Sequence, residues 1–224
     1  MPKSPYATAI DGFQRALKPF LKGLGFRTRG RTFNRATADG LTQVINLQMG
    51  ASDPPGTTYI PGLRENFHGW FTINLGVYIP EVARLHGGGE ARGFVRDFHC
   101  CVRERIGNVG PEKRDSWWRI SGDQELVTEI EGRIERDALP FLEAHASRDA
   151  ILSACGAPVA NLGFAGAPPR IVAAIVLTER GDRDAARALL SKQAQEQNNR
   201  GHPAYVRSLA EKLGVGPLDE ESVT

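Results

Sequence analysis

The segment that restricts the fold most is residues 67–79, because it alternates between apolar and polar side chains. Its odd-numbered positions carry Phe67, Phe71, Ile73, Leu75, Val77 and Ile79. Its even-numbered positions carry His68, Trp70, Thr72, Asn74 and Tyr78. A period of two is typical of a β-strand with one face on a core, the arrangement found in antiparallel sheets. We therefore predict an antiparallel sheet with this strand inside it, ending at Pro80.

Two earlier segments with the same period, residues 26–35 and 41–49, flank Ala36–Gly40. That short connection contains Asp-Gly, a strong signal for a tight turn between antiparallel strands. We therefore expect a β-hairpin over Phe26–Met49.

Two further strands are predicted at residues 98–106 and 117–121, joined as a hairpin by residues 107–115. This gives about five strands in all, each of ordinary length.

Apolar residues at helical spacing predict a first helix and, after the strands, a long one. The first apolar stripe consists of Ile10, Phe13, Leu17, Phe20, Leu21 and Leu24. Ser4 or Thr8 can cap its start, and Pro19 should kink or divide it. The long helix has Asp123 as its N-cap and an interruption at Pro140.

Runs of strands followed by runs of helices are typical of the α+β class. We expect an antiparallel sheet of about five strands packed with the N-terminal helix and the long helix. A helical C-terminal region follows, with short helices separated by Gly and Pro. The predicted division is an α+β domain over residues 1–146 and a helical extension over residues 147–224.

Composition favours a soluble protein in a reducing compartment. The 224 residues include 28 basic and 26 acidic side chains, so attraction to nucleic acid would require a local patch. The three cysteines, Cys100, Cys101 and Cys155, are an odd number and do not indicate a disulfide framework. With no signal-peptide pattern and no long apolar run, we expect a cytoplasmic protein without membrane contact.

Motifs of known chemistry do not emerge from the sequence. His99, Cys100 and Cys101 are adjacent and lack metal-ligand spacing, so free buried thiols are expected. Gly87–Gly89 is not followed by Lys and Ser or Thr, as a phosphate-binding loop would be. We therefore predict no catalytic residue, no cofactor and no metal.

The best candidate for a ligand surface is a set of arginines on the first strand. Arg27, Arg29, Arg31 and Arg35 are all odd-numbered and would share a face of an unbroken strand. Their guanidinium groups could bind phosphate or carboxylate. The alternative is a solvated edge strand that charge protects from aggregation, and Gly30 could form a bulge that changes the register.

Aromatic residues supply the other candidate contacts. Trp70 and Tyr78 lie on the polar face of the strand at residues 67–79, where they could stack on a planar ligand. Trp117 and Trp118 are adjacent and should point to opposite faces, with Trp117 retained as a candidate. The alternative is that a helix covers these side chains, either the first helix or residues 123–142.

Several runs taken together resemble a known family. They are Leu21–Arg35, Gly40–Gln48, Phe71–Tyr78 and the pair Trp117-Trp118. In combination they are similar to the bacterial family called domain of unknown function 4304, over about residues 10–142. The resemblance implies an α+β domain and supplies no catalytic residues.

Three functional hypotheses follow. The first is a binding protein without a catalytic site, for which we expect a protein partner. The second is anion or nucleic-acid binding through the arginine-striped strand at residues 27–35. The third is an enzyme with a new site under the loop at residues 50–66, where Tyr59, Glu65 and His68 would be the first residues to test.

Overall fold

An antiparallel sheet of six strands lies at the centre of the computed structural model. The structure describes residues 4–50, 66–86, 89–156, 163, 168–195 and 201–218. The strands are β1 (Arg27–Arg29), β2 (Thr32–Ala36), β3 (Thr42–Met49), β4 (Trp70–Tyr78), β5 (Val102–Arg105) and β6 (Trp118–Arg119). They are ordered β1-β2-β3-β4-β5, and β6 also pairs with β4. The predicted antiparallel sheet is confirmed.

Helices precede and follow the strands, which confirms the α+β class. Before and among the strands lie α1 (Pro5–Gly23), α2 (Pro80–Leu85), a 3-10 turn (Asp97–His99) and α3 (Ile106–Val109). A continuous helical run then comprises α4 (Gln124–Arg133), a π-helical turn (Ile134–Ala138) and α5 (Leu139–Glu143). The C-terminal helices are α6 (Arg148–Gly156), α7 (Pro169–Glu179), α8 (Arg183–Gln195) and α9 (Gly201–Leu213).

The prediction of one strand over residues 26–35 is wrong, because the chain turns back at Gly30. This glycine has a φ of 59°, a left-handed conformation that side-chain-bearing residues rarely adopt. Arg29 consequently pairs with Thr32, and β1 and β2 form a tight hairpin of their own. The expected Phe26–Met49 hairpin is therefore a three-stranded meander, in which β2 and β3 flank the predicted Asp39-Gly40 turn.

The predicted hairpin between residues 98–106 and 117–121 is also wrong. Both strands pair with β4 and not with each other: Val102 lies opposite Val77, and Trp118 lies opposite Phe71. The physical reason is that β4 is long enough to hold both short strands along one edge. Along this edge, β6 pairs with the start of β4 at Trp70 and Phe71, and β5 pairs with its later residues from Asn74 to Val77.

The first helix packs on the odd-numbered face of β4. Ser4 caps it by accepting a hydrogen bond from the backbone of Ala7 (3.2 Å), one of the two predicted caps. Its buried residues include Phe13, whose ring lies 5.0 Å from that of Phe71. The helix continues through Pro19 and is not divided there, in contrast to one of the two predicted outcomes.

A π-helical turn marks the place where the long helix accommodates Pro140. Proline lacks a backbone N–H and crowds the carbonyl four residues earlier, so it removes one helical hydrogen bond and disfavours a regular α-helix around it. The wider turn of Ile134–Ala138 immediately precedes it, and the helical run then continues to Glu143. Asp123 occupies the N-cap position as predicted, although its side chain makes no capping hydrogen bond.

The C-terminal helices share their apolar cluster with the sheet. Residues 171–176 of α7 are all buried, and all of them except Ala173 belong to the same contiguous cluster as the odd-numbered side chains of β4. Arg148, at the start of α6, donates two hydrogen bonds to the buried carboxylate of Glu81 (2.7 and 2.9 Å). It also pairs with Asp39 in the β2–β3 turn. The division at residue 147 remains a prediction.

A segment between α2 and β5 packs on the even-numbered face of β4. We call residues 89–101 the strap. Its Cys100 lies against Gly76, where a Cβ atom would be 2.7 Å from the Cys100 sulfur. Together with Val44, Tyr78, Ala83 and Val95, Cys100 forms a small second apolar cluster. Glycine is therefore required at position 76 because the strap approaches the strand so closely.

We expect Gly76→Ala to destabilise the protein by roughly 1–3 kcal/mol, the usual effect of overpacking a close contact. Urea unfolding followed by circular dichroism would measure the loss. Gly122→Ala is the matched control, because its added Cβ would meet no heavy atom within 4 Å. In the double variant with Cys100→Ala, the loss should be smaller than the sum of the two single losses. Equal stability of the Gly76→Ala and Gly122→Ala variants would contradict the close approach.

Candidate binding site on the polar face of the sheet

Cross-strand pairing places polar side chains from five strands in one row. The register aligns Arg29 with Thr32, Thr32 with Asn46, Asn46 with Asn74, and Asn74 with Arg105. Residues directly opposite each other in a sheet project from the same face. This face is the one turned away from α1, and we call it the polar face. It also carries Asn34, Gln48, Thr72 and Arg103.

The strap covers the middle of the polar face through hydrogen bonds. The Asn34 side chain bonds both backbone groups of Val95: it donates to the carbonyl (3.0 Å) and accepts from the amide (2.9 Å). The Tyr78 hydroxyl accepts a hydrogen bond from the backbone of Ala91 (3.1 Å). Polar groups that the strap buries are thus satisfied by the strap itself.

Two charged residues of the strap bind the central polar row. Arg96 donates to the buried hydroxyl of Thr32 (3.0 Å), and Asp97 accepts from the amide of Asn74 (3.0 Å). His99 accepts a hydrogen bond from the Arg96 backbone at Nδ1 (3.0 Å). Burial lowers the pKa of His99, which Asp97 opposes, so the imidazole favours its neutral form.

Beside the strap, towards β5, the polar face opens into a cleft of about 460 Å³. We call it the Arg103 cleft. It is lined by Gln48, Asn74, Asp97, Arg103, Glu104, Arg105, Asn108 and Asp115. Its volume is within the range of small-ligand sites, but its lining is almost entirely polar, unlike that of most such sites.

The carboxylates of this cleft already accept hydrogen bonds from neighbouring groups. Glu104 Oε2 accepts from the side chain of Asn108 (2.8 Å) and the backbone of Arg105 (3.1 Å). Asp115 Oδ2 accepts from the indole of Trp117 (2.9 Å) and pairs with Arg105. Each acidic group is therefore held in a defined position.

Arg103 differs from the other charged residues of the cleft. Its side chain is half-buried, and its guanidinium has no hydrogen bond or ion pair with any residue in the described part of the chain. Arg105, by contrast, pairs with Asp115 and lies over the Trp117 ring, 5.1 Å from its centroid. Trp117 in turn stacks on Phe67, with ring centroids 4.1 Å apart. Arg103 is the cleft's available cation.

A second cleft, of about 470 Å³, lies on the β1 side of the strap. We call it the Arg27 cleft. Arg27 and Arg29 are exposed there, and neither makes an ion pair within the described ranges. The lining comprises Arg27, Arg29, Asn34, Ala36, Thr42, Gly93, Phe94 and Val95.

The four arginines predicted to share one face do not do so. Because the chain turns at Gly30, Arg27 and Arg29 face the same way as the even-numbered residues of β2, and Arg35 faces the opposite way. Arg35 donates to the Gln43 side chain (2.7 Å) at the edge of the core. Arg31 lies in the turn and donates to Asp11 (3.0 Å). Two of the four remain candidates for one surface.

The three candidate aromatic residues also separate. Tyr78 is buried beneath the strap, which makes its ring unavailable to a ligand. The cover is this segment and neither of the two helices that we expected. Trp70 is half-buried at the other end of β4, opposite Arg119. Trp117 is the one that reaches the Arg103 cleft, through Asp115.

The prediction that the two adjacent tryptophans point to opposite faces is confirmed. Trp118 lies on the core side, with its ring centroid 5.8 Å from that of Phe71, and donates to Glu129 (2.7 Å). Trp117 lies on the other side, beside Phe67.

Sequence reasoning chose none of the eight residues that line the Arg103 cleft, which are Gln48, Asn74, Asp97, Arg103, Glu104, Arg105, Asn108 and Asp115. Arg103 and Arg105 are two positions apart in a short predicted strand, which could have indicated that they share a face. Nothing in the sequence could place them beside Asn74, because that neighbour follows from strand pairing. Of the residues chosen for the enzyme hypothesis, Tyr59 and Glu65 lie outside the described residues. His68 packs edge-on against Tyr6, 4.8 Å away.

The described residues contain neither a metal-binding cluster nor a membrane-spanning helix. No cluster of three or more His, Cys, Asp or Glu side chains with a geometry suited to a metal ion occurs there. Likewise, no helix within these ranges combines the length and apolar character needed to cross a bilayer.

The fold and the cleft define an α+β domain with a polar sheet face partly covered by a strap. Residues 64–144 match the family model described as Domain of unknown function (DUF4304). The resemblance inferred from the sequence is confirmed over this range, which includes β4, the strap and every residue lining the Arg103 cleft except Gln48. No curated protein and no solved structure matches the chain.

The cysteines are free thiols whose surroundings suppress ionisation. Cys100 is buried, as predicted, and burial raises its pKa well above the ordinary value. Cys101, which was also predicted to be buried, is half-buried. Burial likewise raises the pKa of Cys101 and of Cys155, each to about 12. Since the thiolate is the nucleophilic form, these residues are poorly suited to covalent catalysis at neutral pH.

We expect iodoacetamide at pH 8 to label these cysteines at least roughly a thousandfold more slowly in the native protein than in the unfolded chain. The ordinary thiol pKa is 9.0, and the native values are about 12 for two of the three residues. Labelling should accelerate about tenfold per pH unit, and native stability should fall as pH rises above 9.0, because only the unfolded thiols ionise there. Mass spectrometry of labelled peptides gives the rates. Fast labelling of the native protein at pH 8 would contradict this assignment.

Proposed function

We propose that this chain is a binding protein that contacts a protein partner through the Arg103 cleft and the adjoining strap. The observation that carries the proposal is the half-buried Arg103, which lacks an acceptor in the described structure while the carboxylates around it are already hydrogen-bonded. A half-buried guanidinium is stabilised when a partner supplies an anionic group to its fork of donors. We place this activity in the cytoplasm, where free thiols are stable.

Charge favours a protein over a nucleic acid as the occupant of this cleft. Asp97, Glu104 and Asp115 contribute three negative charges, against two positive charges from Arg103 and Arg105. A cleft with a formal charge of minus one repels a polyanion, whose binding depends on neutralising many phosphates.

The neighbouring surface has the composition of a protein interface. Phe98, on the strap next to Asp97, is 61 % exposed, the largest exposure of a large apolar side chain in the described ranges. Aromatic residues and arginine dominate the energetics of protein interfaces, and Phe98 adjoins in sequence Asp97, which lines the same cleft as Arg103. We therefore assign Phe98 as the apolar anchor and Arg103 as the polar one.

We expect Arg103→Ala and Phe98→Ala each to weaken partner binding by about tenfold or more, the usual effect of removing an interface anchor. The partner would be captured with the full-length protein, identified by mass spectrometry and purified. Its dissociation constant would then be measured by calorimetry. Arg183→Ala, at an exposed position on α8, is the matched control and should leave affinity unchanged. A captured protein whose affinity is the same for all three variants would refute this surface.

A second candidate function is anion or nucleic-acid binding at the Arg27 cleft. It is favoured by two exposed arginines that alternate on one face of an edge strand, with Asn34 and Thr42 as further polar groups in the same cleft. Arginine forks on a regular strand can follow successive phosphates. This hypothesis concerns a different part of the polar face from the first one and can be tested separately.

For this second function, we expect a labelled single-stranded oligonucleotide to bind with an affinity that falls steeply as salt is raised. Replacing Arg27 and Arg29 by Ala should make the plot of log affinity against log salt shallower by roughly 1.4, about 0.7 for each lost phosphate contact. Fluorescence polarisation would measure this, with Arg183→Ala, which removes an exposed arginine on α8, as the control. Unchanged binding by the double variant, or binding that salt does not affect, would eliminate this candidate.

A further inference from the structure

We infer that the Arg103 cleft recognises a peptide segment of mixed charge, with a carboxylate bound to Arg103 and a cationic side chain bound to the carboxylates that line the same cleft. This inference rests on the proposed function and specifies which charged groups of the partner the cleft binds. It is carried by the hydrogen-bonding capacity that remains in the cleft after its internal contacts are made.

Each of the three carboxylates uses one oxygen internally and leaves the other open. Asn74 donates to Oδ2 of Asp97. Both donors to Glu104 bind Oε2, and both contacts to Asp115 involve Oδ2. The remaining oxygens, Oδ1 of Asp97, Oε1 of Glu104 and Oδ1 of Asp115, accept no hydrogen bond from the described residues. A carboxylate can accept about four hydrogen bonds, so a cationic group can bind here without displacing an existing partner.

The donor capacity that remains is concentrated in Arg103. The side chain of Arg105 is committed to Asp115 and to the face of Trp117. Gln48 accepts from Asn74 at Oε1 (2.7 Å), which orients its amide and leaves its NH₂ group as a second donor. An incoming carboxylate can thus bind the guanidinium of Arg103, and Gln48 offers a further hydrogen bond from the same lining.

A partner segment with charge of one sign would satisfy only part of this cleft. An acidic segment would pair with Arg103 but approach three carboxylates. A basic segment would pair with the carboxylates but leave Arg103 without an acceptor and in repulsion with the new cation. A segment with both signs satisfies both sides, and the cleft thereby discriminates against the alternatives by repulsion as well as by attraction.

The test uses four blocked peptides that differ only in charge: acetyl-Ser-Glu-Gly-Lys-Ser-amide, and its variants with Gln for Glu, with Gln for Lys, and with both. Each would be titrated into the ¹⁵N-labelled full-length chain, with backbone amide shifts as the readout. We expect the mixed-charge peptide to bind about tenfold more tightly than either singly charged one, and to shift amides of β5 and the strap.

Variants of the protein separate the two halves of the cleft. With Arg103→Ala, the preference for Glu over Gln in the peptide should disappear while the preference for Lys remains. With Asp97→Asn and Glu104→Gln combined, the preference for Lys should shrink and that for Glu should remain. Arg183→Ala should change neither preference. Arg103→Lys should retain part of the preference for Glu, because it keeps the charge and loses the bidentate fork.

The outcomes distinguish this inference from the function on which it rests. Four peptides of equal affinity, a singly charged peptide that binds best, or no shifts at any concentration would overturn the mixed-charge recognition. The binding function would still stand if the purified partner loses affinity with Arg103→Ala. If the partner is indifferent to Arg103→Ala while the peptides show the expected preferences, the cleft binds mixed charge and the partner docks elsewhere.

Discussion

The pairing of β4 with three other strands is the constraint on which the rest of the structure depends. β3 pairs with it along its length, from Thr42 opposite Tyr78 to Met49 opposite Phe71, while β5 and β6 share its other edge. Burying one of its large apolar side chains contributes about 1.5–3 kcal/mol. A register shift of one residue would turn all of them to the other face, so the register is strongly determined. The polar row follows from the same register, because it occupies the alternate positions.

The strap supplies hydrogen-bond partners to the polar side chains that it covers on the sheet. A polar face that is covered must have its groups hydrogen-bonded, because an unsatisfied buried polar group costs about 1–3 kcal/mol. Thr32 is fully buried, and its hydroxyl receives donors from Arg96 and Asn46 (2.9 Å). Where the strap ends, the face stays open and its polar groups keep unused capacity. The Arg103 cleft therefore begins at the boundary between satisfied and unsatisfied parts of one polar surface.

The helical C-terminal region is positioned by a different interaction, the ion pair of Arg148 with buried Glu81. Hydrogen bonding to Glu81 raises the pKa of Arg148, and attraction to Glu81 and Asp39 adds to this, while burial opposes it. Desolvating such a pair offsets much of its attraction, so the pair adds little net stability. Its effect is positional: the bidentate geometry fits one placement of α6 against α2 and against the turn before β3. The exposed pair of Arg84 and Glu179 (2.6 Å) links α2 to α7 with far less desolvation.

Elements that depend on neighbouring residues in the sequence could be predicted, whereas those that depend on pairing between distant residues could not. The alternation in residues 67–79, the Asp39-Gly40 turn and the α1 stripe are local signals, and each predicted its element correctly. Gly30 was ambiguous, because a bulge and a tight turn both use a glycine, and the choice between them depends on pairing with β3. That choice removed Arg35 from the arginine surface.

The candidate site was out of reach of sequence reasoning for the same physical reason. Arg103 becomes a neighbour of Asn74, Gln48 and Asp97 only after β5 pairs with β4 rather than with β6. The prediction of a hairpin at residues 98–121 placed Arg103 against the wrong strand, and that pairing was locally reasonable because consecutive strands in a chain usually pair with each other. In the structure both strands pair with β4 instead, because β4 is long enough to hydrogen-bond with each of them. The polar surface made by these cross-strand rows is therefore encoded in the register, and its residues are separated in the sequence by the lengths of the loops between strands.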